Sequence, residues 1–143
     1  MKRLSTEVSR IKGSHERCIA CGSLNEHGLH LSFQKEDDGS ISAVFDGDKR
    51  YEGYPGRLHG GIISMVLDSA MTNCLFHHGH VAVTAELNVR FLKPVLTQKE
   101  MKITARINKC AHALFWVEAK IVQEGVVKAT AKARFFEQMK KIR

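Results

Sequence analysis

His59-Gly60-Gly61-Ile62-Ile63-Ser64-Met65-Val66-Leu67-Asp68 is the stretch whose reading decides the fold. It opens the one long apolar helical pattern of the chain, which runs from Gly60 to about His77 with Gly79 as its stop. At the helical period, Ile62, Ile63, Val66, Leu67, Ala70 and Cys74 share one broad face. Met65, Met71, Leu75 and Phe76 carry apolar character round to the other side. A helix apolar nearly all round is a buried helix, so the rest of the chain must wrap it.

The segments on either side are strand-like. After the helix, Val81, Val83, Ala85, Leu87, Val89 and Phe91 alternate with Ala82, Thr84, Glu86, Asn88 and Arg90 until Pro94 ends the run. Straight alternation sets Thr84 on the polar face, away from the core. Met101 to Ile107, Phe115 to Ile121 and Val127 to Phe135 repeat the period-two pattern, with Glu124-Gly125 at hairpin spacing between the last two. Before the helix, Leu29-x-Leu31-x-Phe33 reads as a half-buried strand. The turn Asp37-Asp38-Gly39-Ser40 leads from it to a second strand from Ile41. A charged loop with three glycines and Pro55 joins Asp46 to Leu58.

About six strands, each with one apolar face, imply an α+β fold: a curled antiparallel sheet wrapped round one central helix. The small alanines of the last strand would let it approach the helix closely. A single sheet leaves an edge open and the helix partly uncovered, so at least a dimer is expected. The expected organisation is a flexible lead at 1–17, one domain at 18–137 and a basic tail at 138–143.

Composition narrows the function. With 143 residues, one domain and one core fit. No apolar run approaches the roughly 20 residues of a membrane span, and no signal-peptide core precedes Arg17, so a cytoplasmic address is expected. The net charge of +7 suits an anionic partner, but a solvated surface is the expected reading. Neither the exposed aromatics nor the recognition helix of a nucleic-acid module is visible. Cys18-x-x-Cys21-Gly22 has the spacing of half a zinc knuckle. No second pair completes four ligands, and only His15, His27 and His30 stand nearby, so a turn of reduced thiols is expected rather than a metal. No strand leads into the pair and no helix follows it, against a thioredoxin-type role.

The opening stretch carries the chemistry. Gly60 and Gly61 leave the first-turn N–H groups unobstructed at the positive end of the helix dipole, where a carbonyl oxygen can be polarised. Asp68 is a carboxylate in an apolar helix with no evident basic partner, which marks it for chemistry as general base or nucleophile. Ser64 and Thr72, one turn before and after, are placed to orient it or a water. His59 and Asp68 are nine residues apart, about half a turn out of phase and roughly 13 Å along the axis. They cannot form a dyad within one chain; a two-fold dimer with antiparallel helices could bring one copy's His59 to the other's Asp68. On residue types alone a plainer reading stands beside this. The glycines would serve packing, His59 would cap the helix, and Ser64 and Thr72 would satisfy Asp68.

His59-Gly60-Gly61, Asp68 and the strand Val83-Thr84-Ala85-Glu86-Leu87-Asn88-Val89-Arg90-Phe91-Leu92-Lys93-Pro94 resemble the hot dog fold thioesterases, in the PaaI-type branch. The lead-in Cys18-Ile19-Ala20-Cys21-Gly22, Asn25, Gly28-Leu29, Leu31 and Phe33 is similar to that of many bacterial members, although Glu26 stands where proline usually follows the asparagine. The resemblance covers about Cys18 to Phe136. It implies hydrolysis of an acyl-CoA thioester, aryl or fatty-acyl, without metal or cofactor, by a homodimer or a dimer of dimers. Asp68 would be the general base or nucleophile. Gly61, with Gly60 near it, would receive the thioester carbonyl oxygen, and His59 would orient it from the opposite subunit. Thr84 matches a position that holds water, and Asn25 and Arg90 are further candidate substrate contacts. Arg90, Lys93, Lys132 and Arg134 are candidates for the coenzyme A phosphates. A non-catalytic protein of this fold that binds acyl thioesters or lipids is the alternative. Hydratases of the fold pair a histidine with the acid in a helix pattern that this chain lacks.

Overall fold

A computed structural model describes residues 15–138; the expected lead before residue 15 and the basic tail beyond residue 138 lie outside it. The order of elements is β1 (Gln34–Lys35), β2 (Ile41–Asp46), α1 (Gly60–His77), β3 (Ala82–Phe91), β4 (Glu100–Ala111), β5 (Leu114–Gln123) and β6 (Val126–Glu137). The strands form one antiparallel sheet in the order β1-β2-β4-β5-β6-β3. The sheet packs its inner face on α1, as the apolar helix required. This is the expected α+β hot dog arrangement. No helix among the described residues is long and apolar enough to cross a membrane.

The core sits between helix and sheet. Val66, Leu67, Ala70, Met71, Cys74 and Leu75 of α1 are fully buried against Ile41, Ile103, Phe115, Ile121 and Phe135 of the strands. Each large side chain so buried contributes roughly 1.5–3 kcal/mol. Ala129, Ala131 and Ala133 present the small inner surface that the helix needs. The helix ends where its sequence predicts: Gly79 takes φ +82°, and its N–H donates to the carbonyl of Phe76 at 3.0 Å. Glu124 and Gly125, at φ 53° and 74°, close the β5–β6 hairpin with the two left-handed residues that a tight turn demands.

Two expectations change. Leu29, Leu31 and Phe33 are buried as a strand would bury them, yet the ladder there is confined to Gln34–Lys35. His30 at φ 53° breaks the extended run, and the N–H groups of Leu29 and Leu31 donate instead to Ile19 and Ala20 in the lead-in turn. Strand β3 does not alternate straight through. Its pairing with β6 shifts between Thr84 and Glu86, so Thr84 stands opposite buried Phe135 while Leu87 stands opposite buried Ala133. The extra residue of the bulge turns Thr84 to the helix side, contrary to the polar face that simple alternation assigns it.

Candidate active site

The N-terminus of α1 is built by pinning the residues before it. The N–H of Leu58 donates to the Val95 carbonyl and that of His59 to the Tyr51 carbonyl, both at 2.8 Å. His59 is thereby held extended (φ −61°, ψ 138°) as the N-cap residue. Its ring Nδ1 accepts the N–H of Gly61 at 2.8 Å. A neutral imidazole that accepts at Nδ1 carries its proton on Nε2, leaving a second donor beside the helix end. Gly61 is used for close approach, whereas a side chain on Gly60 would make only ordinary contact. A Cβ on Gly61 would sit 3.1 Å from His59 Nδ1, and one on Gly60 would sit 3.5 Å from the Phe91 ring. An open cleft of about 460 Å³ lies here, lined by Tyr54, Arg57, His59, Gly60, Phe91 and Lys93 among others.

Asp68 lies at mid-helix, half-buried, and faces β3. The Thr84 hydroxyl donates to its Oδ1 at 2.6 Å, within the short range of a hydroxyl bonded to an ionised carboxylate. Among the described residues no Lys, Arg or His forms an ion pair with it. Ser64 and Thr72 are engaged differently from the sequence expectation. Their hydroxyls donate to the carbonyls of Gly60 and Asp68, each at 2.9 Å, one turn back along the helix. The partner of the carboxylate is therefore Thr84, brought in by the β3 bulge. The continuity of α1 from Gly60 to His77 keeps His59 and Asp68 of one chain apart, as helical geometry required.

The remaining candidates disperse. Asn25 folds the lead-in: its Oδ1 accepts the N–H of His27 at 2.9 Å, and its Nδ2 donates to the Arg17 carbonyl at 3.2 Å. Arg90 lines a groove with Glu86, Trp116 and Lys132 and is absent from the lining of the cleft at the helix end. Arg134 is tied to Glu86 in an ion pair. Tyr54 and Arg57 were missed, because the loop that carries them has no periodicity to place its side chains. A groove of about 640 Å³ between the β1–β2 connection and strands β4, β5 and β6, lined by Lys102, Arg106, Glu118 and Lys132 among others, lies apart from Asp68. Of the other thiols, Cys74 is buried, which pushes its pKa up to about 11 and suppresses its thiolate, whereas Cys110 is exposed.

A curled sheet round one helix, with a glycine-opened N-terminus and an aspartate two and a half turns on, defines the hot dog class. The sequence model of the family described as Thioesterase superfamily matches residues 55–130, more than half of the chain, and the chain belongs to that superfamily. It is 31% identical over 87 residues to the acyl-coenzyme A thioesterase THEM4 of Bos taurus, covering 59% of this chain and 35% of that protein. The chain spans between about a third and a half of the length of the curated relatives it matches. Among solved structures, the PaaI protein of the E. coli phenylacetic acid degradation operon superposes with a TM-score of 0.78 at 15% identity, covering 95% of this chain and 99% of that one. A hypothetical thioesterase protein of Streptococcus pneumoniae, solved with coenzyme A, superposes with a TM-score of 0.71 at 17% identity, covering 76% and 88%.

Proposed function

We propose that the chain hydrolyses an acyl-CoA thioester, aryl or fatty-acyl, at a site completed by a second copy of itself. The observation that carries this reading is the Thr84 hydroxyl on Asp68 Oδ1 at 2.6 Å. It fixes the orientation of the carboxylate and leaves its second oxygen for the substrate. That oxygen takes a proton from water as the water adds to the thioester carbonyl, or it attacks the carbonyl itself and the acyl group is then released by water. In either course the carbon–sulfur bond breaks, the acid departs, and the coenzyme A sulfur leaves as the thiol. The negative charge that develops on the carbonyl oxygen meets the α1 N-terminus of the other copy. There the Nε2–H of His59 donates, and rotation of the ring releases the Gly61 amide to the same oxygen. One such donor is typically worth about 10²–10³ in rate.

Two features support the two-copy site. His59 and Asp68 of a single helix point away from each other at roughly 13 Å. Strand β3, which carries Thr84, is an open edge with Val83, Leu87 and Phe91 exposed. Pairing of two copies along this edge would run their helices antiparallel and oppose one glycine end to the other Asp68. Arg57 and Lys93, beside that end, suit the phosphates of coenzyme A. The pneumococcal thioesterase noted above was solved with coenzyme A. It was also solved with one aspartate and, separately, one threonine changed to alanine, and those two positions have the separation of Asp68 and Thr84.

The test is thiol release from short-chain, long-chain and aryl-CoA substrates by the chain and by Asp68→Asn. Turnover by the chain with a loss of about 10²–10⁴-fold in the variant is expected. Saturable binding of every ester without hydrolysis would replace this reading with that of an acyl-thioester binding protein.

A further inference from the structure

The turn at residues 15–24 gathers donors that thioester chemistry does not use. The N–H of Cys18 donates to the His15 carbonyl at 3.0 Å, that of Gly22 to Cys18 at 2.9 Å and that of Leu24 to Glu16 at 2.9 Å. Gly22 lets this turn close, since a Cβ there would lie 2.4 Å from both Cys18 N and the Glu16 carbonyl oxygen. The closure brings a ligand atom of each of His15, Cys18 and Cys21 within 4.8 Å of the others. Cys21 Sγ lies 3.8 Å from His15 Nδ1.

Those separations can be set against a metal. Zinc–sulfur and zinc–nitrogen bonds of about 2.3 and 2.0 Å at tetrahedral angles place neighbouring donors roughly 3.5–3.8 Å apart. The His15–Cys21 pair is already at the edge of that range, and the third donor needs only side-chain adjustment. All three residues are half-buried. His15 is held edge-on to Phe76 of α1 at 4.7 Å between ring centroids. Ser69 and Asn73, two polar side chains 5% exposed on an otherwise apolar helix face, hydrogen-bond to each other and favour the Cys21 thiolate, against the burial that pushes its pKa up. Polar groups of this kind around a thiolate are what a metal site needs outside its direct ligands. A cleft of about 290 Å³ adjoins two of the three donors, lined by His15, Cys21, Ser23 and His30 among others.

We propose that His15, Cys18 and Cys21 bind one divalent cation of the zinc class, which staples the lead-in turn closed where it packs on the C-terminal half of α1. Two thiolates and an imidazole form a soft donor set that zinc accepts and that calcium or magnesium does not. Binding replaces the two thiol protons, which pass to solvent, and involves no oxidation. The staple matters for packing because Leu29 and Leu31 bond to this same turn and bury their side chains beneath it. The sequence reading sees only the thiol pair; the fold adds the imidazole.

The test uses the full chain, reduced and freed of metal, titrated with Zn²⁺ against a chromogenic chelator. A parallel titration with Co²⁺ follows thiolate-to-cobalt charge-transfer absorption. The expected result is one metal per chain, a charge-transfer band and a melting temperature that rises on metal addition. His15→Ala, which keeps both thiols, should weaken binding at least about tenfold, and Cys18→Ser or Cys21→Ser should remove the band. Cys110→Ser should leave all readouts unchanged. Absence of the band, or stoichiometric binding that survives loss of both thiols, overturns the proposal. None of these readouts depends on thioesterase activity.

Discussion

Strands β3 and β6 lie side by side, antiparallel, paired from Ala82↔Glu137 to Phe91↔Ala129. Both alternate apolar and polar residues over ten or more positions. Strand β6 buries Ala129, Ala131, Ala133 and Phe135 to 5% exposure or less, whereas Ala82 alone is buried on β3. Val83, Leu87 and Phe91 remain 43%, 36% and 56% exposed. The two strands differ in neighbours rather than in pattern. One has a strand on each side and the helix above it; the other has an open edge. An apolar pattern that one chain does not cover is the signature of a surface made for covering. On the proposed reading a second copy covers it, and the Asp68–Thr84 pair lies at that seam.

The comparison can be broken in three ways. The largest effect is expected from Phe135→Ala on β6, which should cost about 3–5 kcal/mol in urea unfolding. Phe91→Ala on β3 should cost less than about 1 kcal/mol in the dissociated chain. Equal losses would show that the two strands are covered alike. Next, Leu87→Lys should leave the far-ultraviolet circular dichroism intact while shifting sedimentation from dimer to monomer and removing turnover. A variant that stays dimeric would detach the edge from assembly. The smallest effect is expected from Thr84→Val, which deletes one hydrogen bond to a charged group, worth about 1.5 kcal/mol or roughly tenfold in kcat. Thr84→Ser should restore the rate, and an unchanged rate in Thr84→Val would remove the hydroxyl from the mechanism.

The elements that were legible in the sequence are those whose signals are local. The bounds of α1 follow from its period and from Gly79, and the β5–β6 turn follows from Glu124-Gly125. The direction of Thr84 was hidden, because the β3 bulge at Ala85 carries no glycine and breaks no apolar run. The burial of Leu29, Leu31 and Phe33 was legible although their backbone pairing was not, since His30 adopts a left-handed conformation that residue types alone do not announce. At the candidate site, the spacing of His59 and Asp68 already excluded a dyad within one chain. That His59 caps Gly61 was one of two readings of the sequence, and the geometry shows the cap. The proximity of His15 to both thiols depends on how the turn closes, which spacing leaves open.

The central claim is that Asp68 of one copy works with Gly61 of another. Co-expression of Asp68→Ala with Gly61→Val, each inactive alone, tests it directly. If the site is shared, half of randomly mixed dimers contain one intact pair, and activity should return to about a quarter of the unsubstituted level. If each chain carried its own complete site, every site in the mixture would hold a defect, and the absence of any recovery in isolated mixed dimers would contradict the claim.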